Sequence, residues 1–145
     1  MTRAAAVVLL LLALVSAGCA DQKEKYCDAV KDHQQELGQL RGDGGPGALL
    51  QALPIFRDLA DDAPDDIGDD WRTVIAALDG LDQALDAAGV DPATYDRDDP
   101  PDGVSRADQD KIDAAARELA DNQTVQALNS VQQQALDVCG TPLQV

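Results

Sequence analysis

One histidine, no CxxC pair and no apolar run long enough to span a bilayer: these shortages narrow the chain's roles before any motif is read. His33 has no second ligand at metal-site spacing, so it reads as a hydrogen-bonded structural residue on an apolar stripe rather than a general base, metal ligand or haem ligand. Without CxxC there is no sign of a redox motif or a zinc knuckle. Basic residues are also scarce, 11 Lys and Arg against 27 Asp and Glu, for a formal net charge of −16. That balance disfavours nucleic acid and anionic lipid headgroups, because either would have to approach against repulsion. No strand-like alternation and no internal repeat stands out.

The N-terminus is the most informative segment present. Arg3, an apolar run from Ala4 to Val15, and Ser16-Ala17-Gly18-Cys19 have the three parts of a secretory signal ending at a cysteine. The run is shorter than the roughly 20 residues a spanning helix needs. It reads as a bacterial lipoprotein signal covering residues 1–18, with Ser16 where an aliphatic residue is more usual. Cys19 is then the lipidation site, and residues 19–25 form the lipidated tether and the start of the first helix. Two acyl chains there, palmitate among them, hold a protein stably on a membrane at about 0.8 kcal/mol per buried methylene. The expected address is the outer face of the cell membrane.

Residues 26–145 are expected to form one helical domain. Past the signal, Leu, Ile, Val and Phe make up only 26 of 127 residues, so the core is thin for such a charged chain. Cys27 and Cys139 remain near its two ends. In an oxidising compartment they are expected to pair, closing a loop whose entropy cost to the unfolded chain is worth up to about 4.7 kcal/mol.

Four helical segments follow from the periodicity. The first runs from about Asp21 to Leu40, with Tyr26, Val30, His33, Leu37 and Leu40 on one stripe, ended by Arg41-Gly42-Asp43-Gly44-Gly45. The second starts near Pro46 and carries Leu49, Leu50, Leu53, Phe56 and Leu59, with a kink or a split expected at Pro54. The third has Ile67, Trp71, Val74, Leu78, Leu81, Leu85 and Ala88 in register, aspartates in its first turns and Gly89 as its stop. The fourth runs from Ser105 to Cys139, with Ser105 and Asp108 as a capping pair. Asp121-Asn122-Gln123-Thr124 is expected to kink or re-cap it. Val125, Leu128, Val131, Ala135, Leu136 and Val138 are expected to share its buried side. The fold expected is an all-α, up-and-down bundle of about four helices, clamped by the disulfide between the first and last.

Few residues suggest chemistry. The Asp91–Gly103 loop offers Asp96, Asp98, Asp99 and Asp102 as oxygen ligands for calcium. Two prolines interrupt it, however, and counting from Asp98 the twelfth position is Gln109 where an EF-hand has glutamate. It reads as a solvated linker. No nucleophile, base and orienting group fall at a suggestive spacing, so no enzyme and no cofactor is expected.

Tyr26-Cys27-Asp28, Ala63-Pro64 before Asp70-Trp71, Gly89-Val90-Asp91-Pro92 and Asp137-Val138-Cys139-Gly140 together resemble small secreted or lipid-anchored helical proteins of actinobacteria with a terminal cysteine pair. The resemblance implies a fold and an address and transfers no active site. The function expected is a non-catalytic interaction or structural module of the cell envelope, held to the membrane by its lipid and facing an envelope protein partner. The alternative is a small-ligand or cation-binding protein at the membrane surface.

Overall fold

The structure, a computed structural model, describes residues 15–43 and 47–144; for residues 15–20 and 43 it describes the helical backbone alone. It is all-helical, with no strand among the described residues. The described residues form six helices in order: α1 (Val15–Asp43), α2 (Ala48–Gln51), α3 (Leu53–Asp62), α4 (Gly68–Ala88), α5 (Arg106–Leu119) and α6 (Asn122–Cys139).

The expectation of about four helices becomes six at the two interruptions. Pro54 sits in the first turn of α3, where its missing N–H costs nothing, and this separates the single turn of α2 from α3. Asp121 separates α5 from α6: its carboxylate accepts from Gln123 N–H at 2.7 Å as an N-cap. The first helix is also longer than the Asp21–Leu40 expected. Its backbone is already helical at Val15, so the segment from Cys19 to Cys27 is no extended tether. Those eight steps span about 12 Å at helical rise instead of the roughly 28 Å of an extended strand.

Packing defines a four-cornered core. α1 lies against α3 and α6, and α4 lies against α3 and α6 on the opposite side. α5 lies outside this square, packed on α4 without approaching α1 or α3. Tyr26, Val30 and Leu37 of α1, Phe56 and Leu59 of α3, Trp71 and Leu78 of α4, and Val131 and Ala135 of α6 fill the centre. Phe56 and Trp71 rings meet at 5.7 Å between centroids with a 47° tilt, within the range of favourable aromatic pairs.

Two left-handed glycines end helices as expected of C-terminal stops: Gly89 after α4 (φ 67°) and Gly140 after α6 (φ 65°). Beyond Gly140 the tail turns back over α1 and α6. Leu143 is buried, and a Cβ at Gly38 would lie 3.9 Å from the Gln144 side chain. At the end of α1 remote from the cysteines, Gly47 is buried against the Asp91–Gly103 loop. A Cβ there would come within 3.1 Å of Pro92 and Ala93 backbone atoms, so any larger residue would push that backbone back by a few tenths of an ångström.

Candidate functional site: the clamped base and its cleft

Cys27 and Cys139 form a disulfide that joins α1 to α6, Cα to Cα 5.1 Å, across 112 residues of sequence. Cys27 is buried and Cys139 half-buried. Of the residues singled out from sequence, this pair is brought together. The Cys19 side chain and residues 1–14 of the signal lie outside the described residues.

Five residues before Cys27, the base of the fold is pinned to the α3–α4 connection. Gln22 Nε2 donates to the Ala63 carbonyl at 2.9 Å. Above it Tyr26 and Trp71 are completely buried. Burial raises the Tyr26 phenol pKa above 10.0; the neighbouring Trp71 N–H opposes the rise and the Asp66 carboxylate adds to it. The Trp71–Tyr26 approach falls short of a well-formed hydrogen bond, so both polar atoms sit in the core unsatisfied.

A cleft of about 660 Å³ opens beside this base between α1, α3 and α4. Gln22, Arg57, Asp61, Asp65, Asp69 and Arg72 surround it, over a floor that includes Ala60, Ala63 and Ile75. Arg57 is paired to Asp79, linking α3 to α4, and Arg72 to Asp69 within the first turn of α4. The wall thus combines two ion-paired arginines with the carboxylates of Asp61 and Asp65. Such an arrangement can recognise a charged group, but it presents no base beside a nucleophile. Sequence reasoning missed this cleft, because Gln22, Arg57 and Arg72 come from three helices and share no motif.

His33 stands apart from it. It is on α1, with its side chain 26% exposed and Nε2 3.8 Å from Asp58 Oδ2 of α3. That separation is longer than a hydrogen bond, so the two side chains face each other across α1 and α3 in loose contact. Two of the five aspartates of the Asp91–Gly103 loop are used locally: Asp91 Oδ1 accepts from Ala93 N–H at 2.8 Å and Asp96 Oδ1 from Asp98 N–H at 2.9 Å. These are Asx turns, in which the carboxylate stands in for a backbone acceptor. Arg97 reaches out of the loop to Asp113 on α5, 2.8 Å from Nε to Oδ1. Among the described residues no group of three or more His, Cys, Asp or Glu is placed to hold a metal ion. None of the described helices is long and apolar enough to cross a membrane.

The class of protein defined by these features is an all-helical domain clamped by a disulfide between α1 and α6. No family model, curated protein or solved structure matches the chain, so its function is argued from the residues alone.

Proposed function

We propose that this protein is a lipoprotein anchored through Cys19 to the outer face of the cell membrane, and that it works there as a non-catalytic interaction module. The observation that carries the reading is the Ser16-Ala17-Gly18-Cys19 motif following its apolar run. Support comes from the Cys27–Cys139 disulfide, a bond that persists in exported proteins and is reduced in the cytosol. With α1 helical from Val15, lipid at Cys19 would sit about 12 Å along one helix from the clamp. The domain would then stand on a short, stiff stalk, its four core helices α1, α3, α4 and α6 acting as one bundle.

The anchor is tested by replacing Cys19→Ala in cells and following detergent-phase partitioning. Native protein is expected in the detergent phase and the variant outside it; equal retention of both would sink the reading. A second reading, binding of a small charged ligand, is favoured by the cleft at Arg57 and Arg72. It is tested by thermal shift with zwitterionic and anionic small molecules, and an Arg72→Ala variant with an unchanged response would remove the cleft from it.

A further inference from the structure

The clamp has an open side. A groove of about 320 Å³ runs along it, lined by Lys23, Glu24, Cys27 and Lys31 of α1 and by Val138 and Cys139 of α6. Both halves of the disulfide reach this groove, but unequally: Cys27 is 7% exposed, and Cys139 is the more open of the two. Lys23, Cys27 and Lys31 stand four positions apart on α1. One stripe therefore carries an ammonium-bearing residue about 6 Å along the helix on either side of Cys27. Such basic flanks are rare in this molecule. The chain of net charge −16 has four lysines, and three of them, Lys23, Lys25 and Lys31, fall in this one stretch. Nearby carboxylates offset them in part: Asp28 pairs with Lys31 at 3.5 Å, and Glu24 lines the groove. The two sulfurs also differ in their helices. Cys27 lies in the body of α1, whereas Cys139 is the last residue of α6, at the negative end of its dipole.

We infer that the Cys27–Cys139 bond is a thiol-exchange site, opened at Cys139 by an anionic low-molecular-weight thiol that the groove admits. The thiolate of the small molecule attacks Cys139 Sγ, on the more accessible of the two residues. A new S–S bond forms there as the Cys27–Cys139 bond breaks, and Cys27 leaves with the electron pair as a thiolate. Exchange favours the leaving sulfur whose anion is better stabilised. Lys23 and Lys31 flank Cys27 and stabilise its thiolate, while the end of α6 disfavours a thiolate at Cys139. Accessibility and charge therefore select the same direction. A second molecule of the thiol then attacks the adduct, giving its own disulfide and the Cys139 thiolate. In sum the protein disulfide is reduced by two electrons and two small thiols are oxidised. The same lysines draw in an anionic thiol that the rest of the surface repels. What exchange releases is α6: its last turn and the tail through Leu143 lose their covalent tie to α1, while the packing of α3 on α1 and α4 does not run through the bond.

The test uses the full, oxidised protein as cells produce it, kept under native conditions with glutathione as the anionic thiol or cysteamine as a cationic one. Free thiols are blocked with N-ethylmaleimide at intervals, and the modified peptides are mapped by mass spectrometry. Early in the reaction glutathione is expected on Cys139 and the maleimide on Cys27. The reaction should run faster than global unfolding, whose rate is measured separately in urea and extrapolated to water. As the adduct forms, amides near Cys139 should lose exchange protection before those of α4. Lys23→Gln together with Lys31→Gln should lower the ratio of the glutathione rate to the cysteamine rate by at least about threefold, the scale of one exposed ion pair. Both lysines are exposed, so helicity and melting of the variant should match the native protein and exclude misfolding. Glutathione found mainly on Cys27, a reaction no faster than unfolding, or a rate ratio unmoved by the lysine changes each overturns the inference.

Discussion

α5 and α6 are neighbours in sequence, separated by Ala120 and Asp121, yet they are stabilised in opposite ways. α5 carries Arg106, Asp108, Asp110, Lys111, Asp113, Arg117 and Glu118, and buries Ile112 alone. α6 has one formal charge, buries four small or branched residues and ends in a disulfide. α5 is held at its edge by polar contacts: Ser105 Oγ accepts from Asp108 N–H at 3.2 Å, Lys111 pairs with Asp108 at 2.9 Å, and Arg97 ties the preceding loop to Asp113. Exposed pairs of this kind contribute roughly 0–1 kcal/mol each. The contrast teaches that charge keeps α5 on the periphery. α6 instead sits between α1 and α4, with the disulfide tying it to α1.

Breaking the clamp gives the largest expected effect. Cys27→Ala with Cys139→Ala should lower unfolding free energy by up to about 4–5 kcal/mol, the scale for a loop of more than a hundred residues. Urea unfolding checks this, and hydrogen exchange should show α6 amides losing more protection than those of α5. A loss shared equally between the two helices would mean that α5 depends on the clamp as much as α6 does.

Next in size is Ile112→Ala, at about 2–3 kcal/mol, the lower part of the range for buried Ile to Ala because α5 has one packed side. Val131→Ala, deleting two methyl groups at the centre, should cost about 1–2 kcal/mol. The sharper distinction is where the loss appears. Ile112→Ala should release exchange across Arg106–Leu119 while α6 stays protected; Val131→Ala should lower the whole core together. Protection factors measured along both helices separate the two outcomes.

The contrast also shows what the sequence could and could not convey. The α4 stripe, the Gly89 stop and the Ser105–Asp108 cap were legible because each depends on local chemistry or strict period, and the Cys27–Cys139 pair because only two cysteines remain beyond Cys19. The orientation of α6 was legible only in part. Val131 and Ala135 are buried as expected and Leu128 and Val138 pack against the core, but Val125 and Leu136, core residues by hydropathy, stay exposed, while Thr124 and Ala127 take buried positions that hydropathy does not mark. Thr124 is tolerated inside because its hydroxyl donates to the Glu118 carbonyl at 3.0 Å. The helical stalk through Cys19 was missed because the lipoprotein motif marks processing, not conformation. The cleft was missed because it exists only once α1, α3 and α4 meet.

The smallest effect is the one that isolates the polar scheme of α5. The Asp108 carboxyl is held below its ordinary value of 3.8, first by the hydrogen bond from Ser105 Oγ (2.7 Å to Oδ2), then by Lys111. A carboxylate with a lowered folded pKa stabilises the fold above the unfolded value, and that stabilisation is lost as pH falls through the folded one. The start of α5 should therefore loosen below about pH 3.8, with rising exchange at Gln109 and Asp110, while the clamped end of α6 near Cys139 stays ordered. Asp108→Asn should remove this pH dependence, and Ser105→Ala should cost about 1 kcal/mol as a lost cap. If acid releases the end of α6 as early as the start of α5, ionic contacts matter to both helices and the division between them fails.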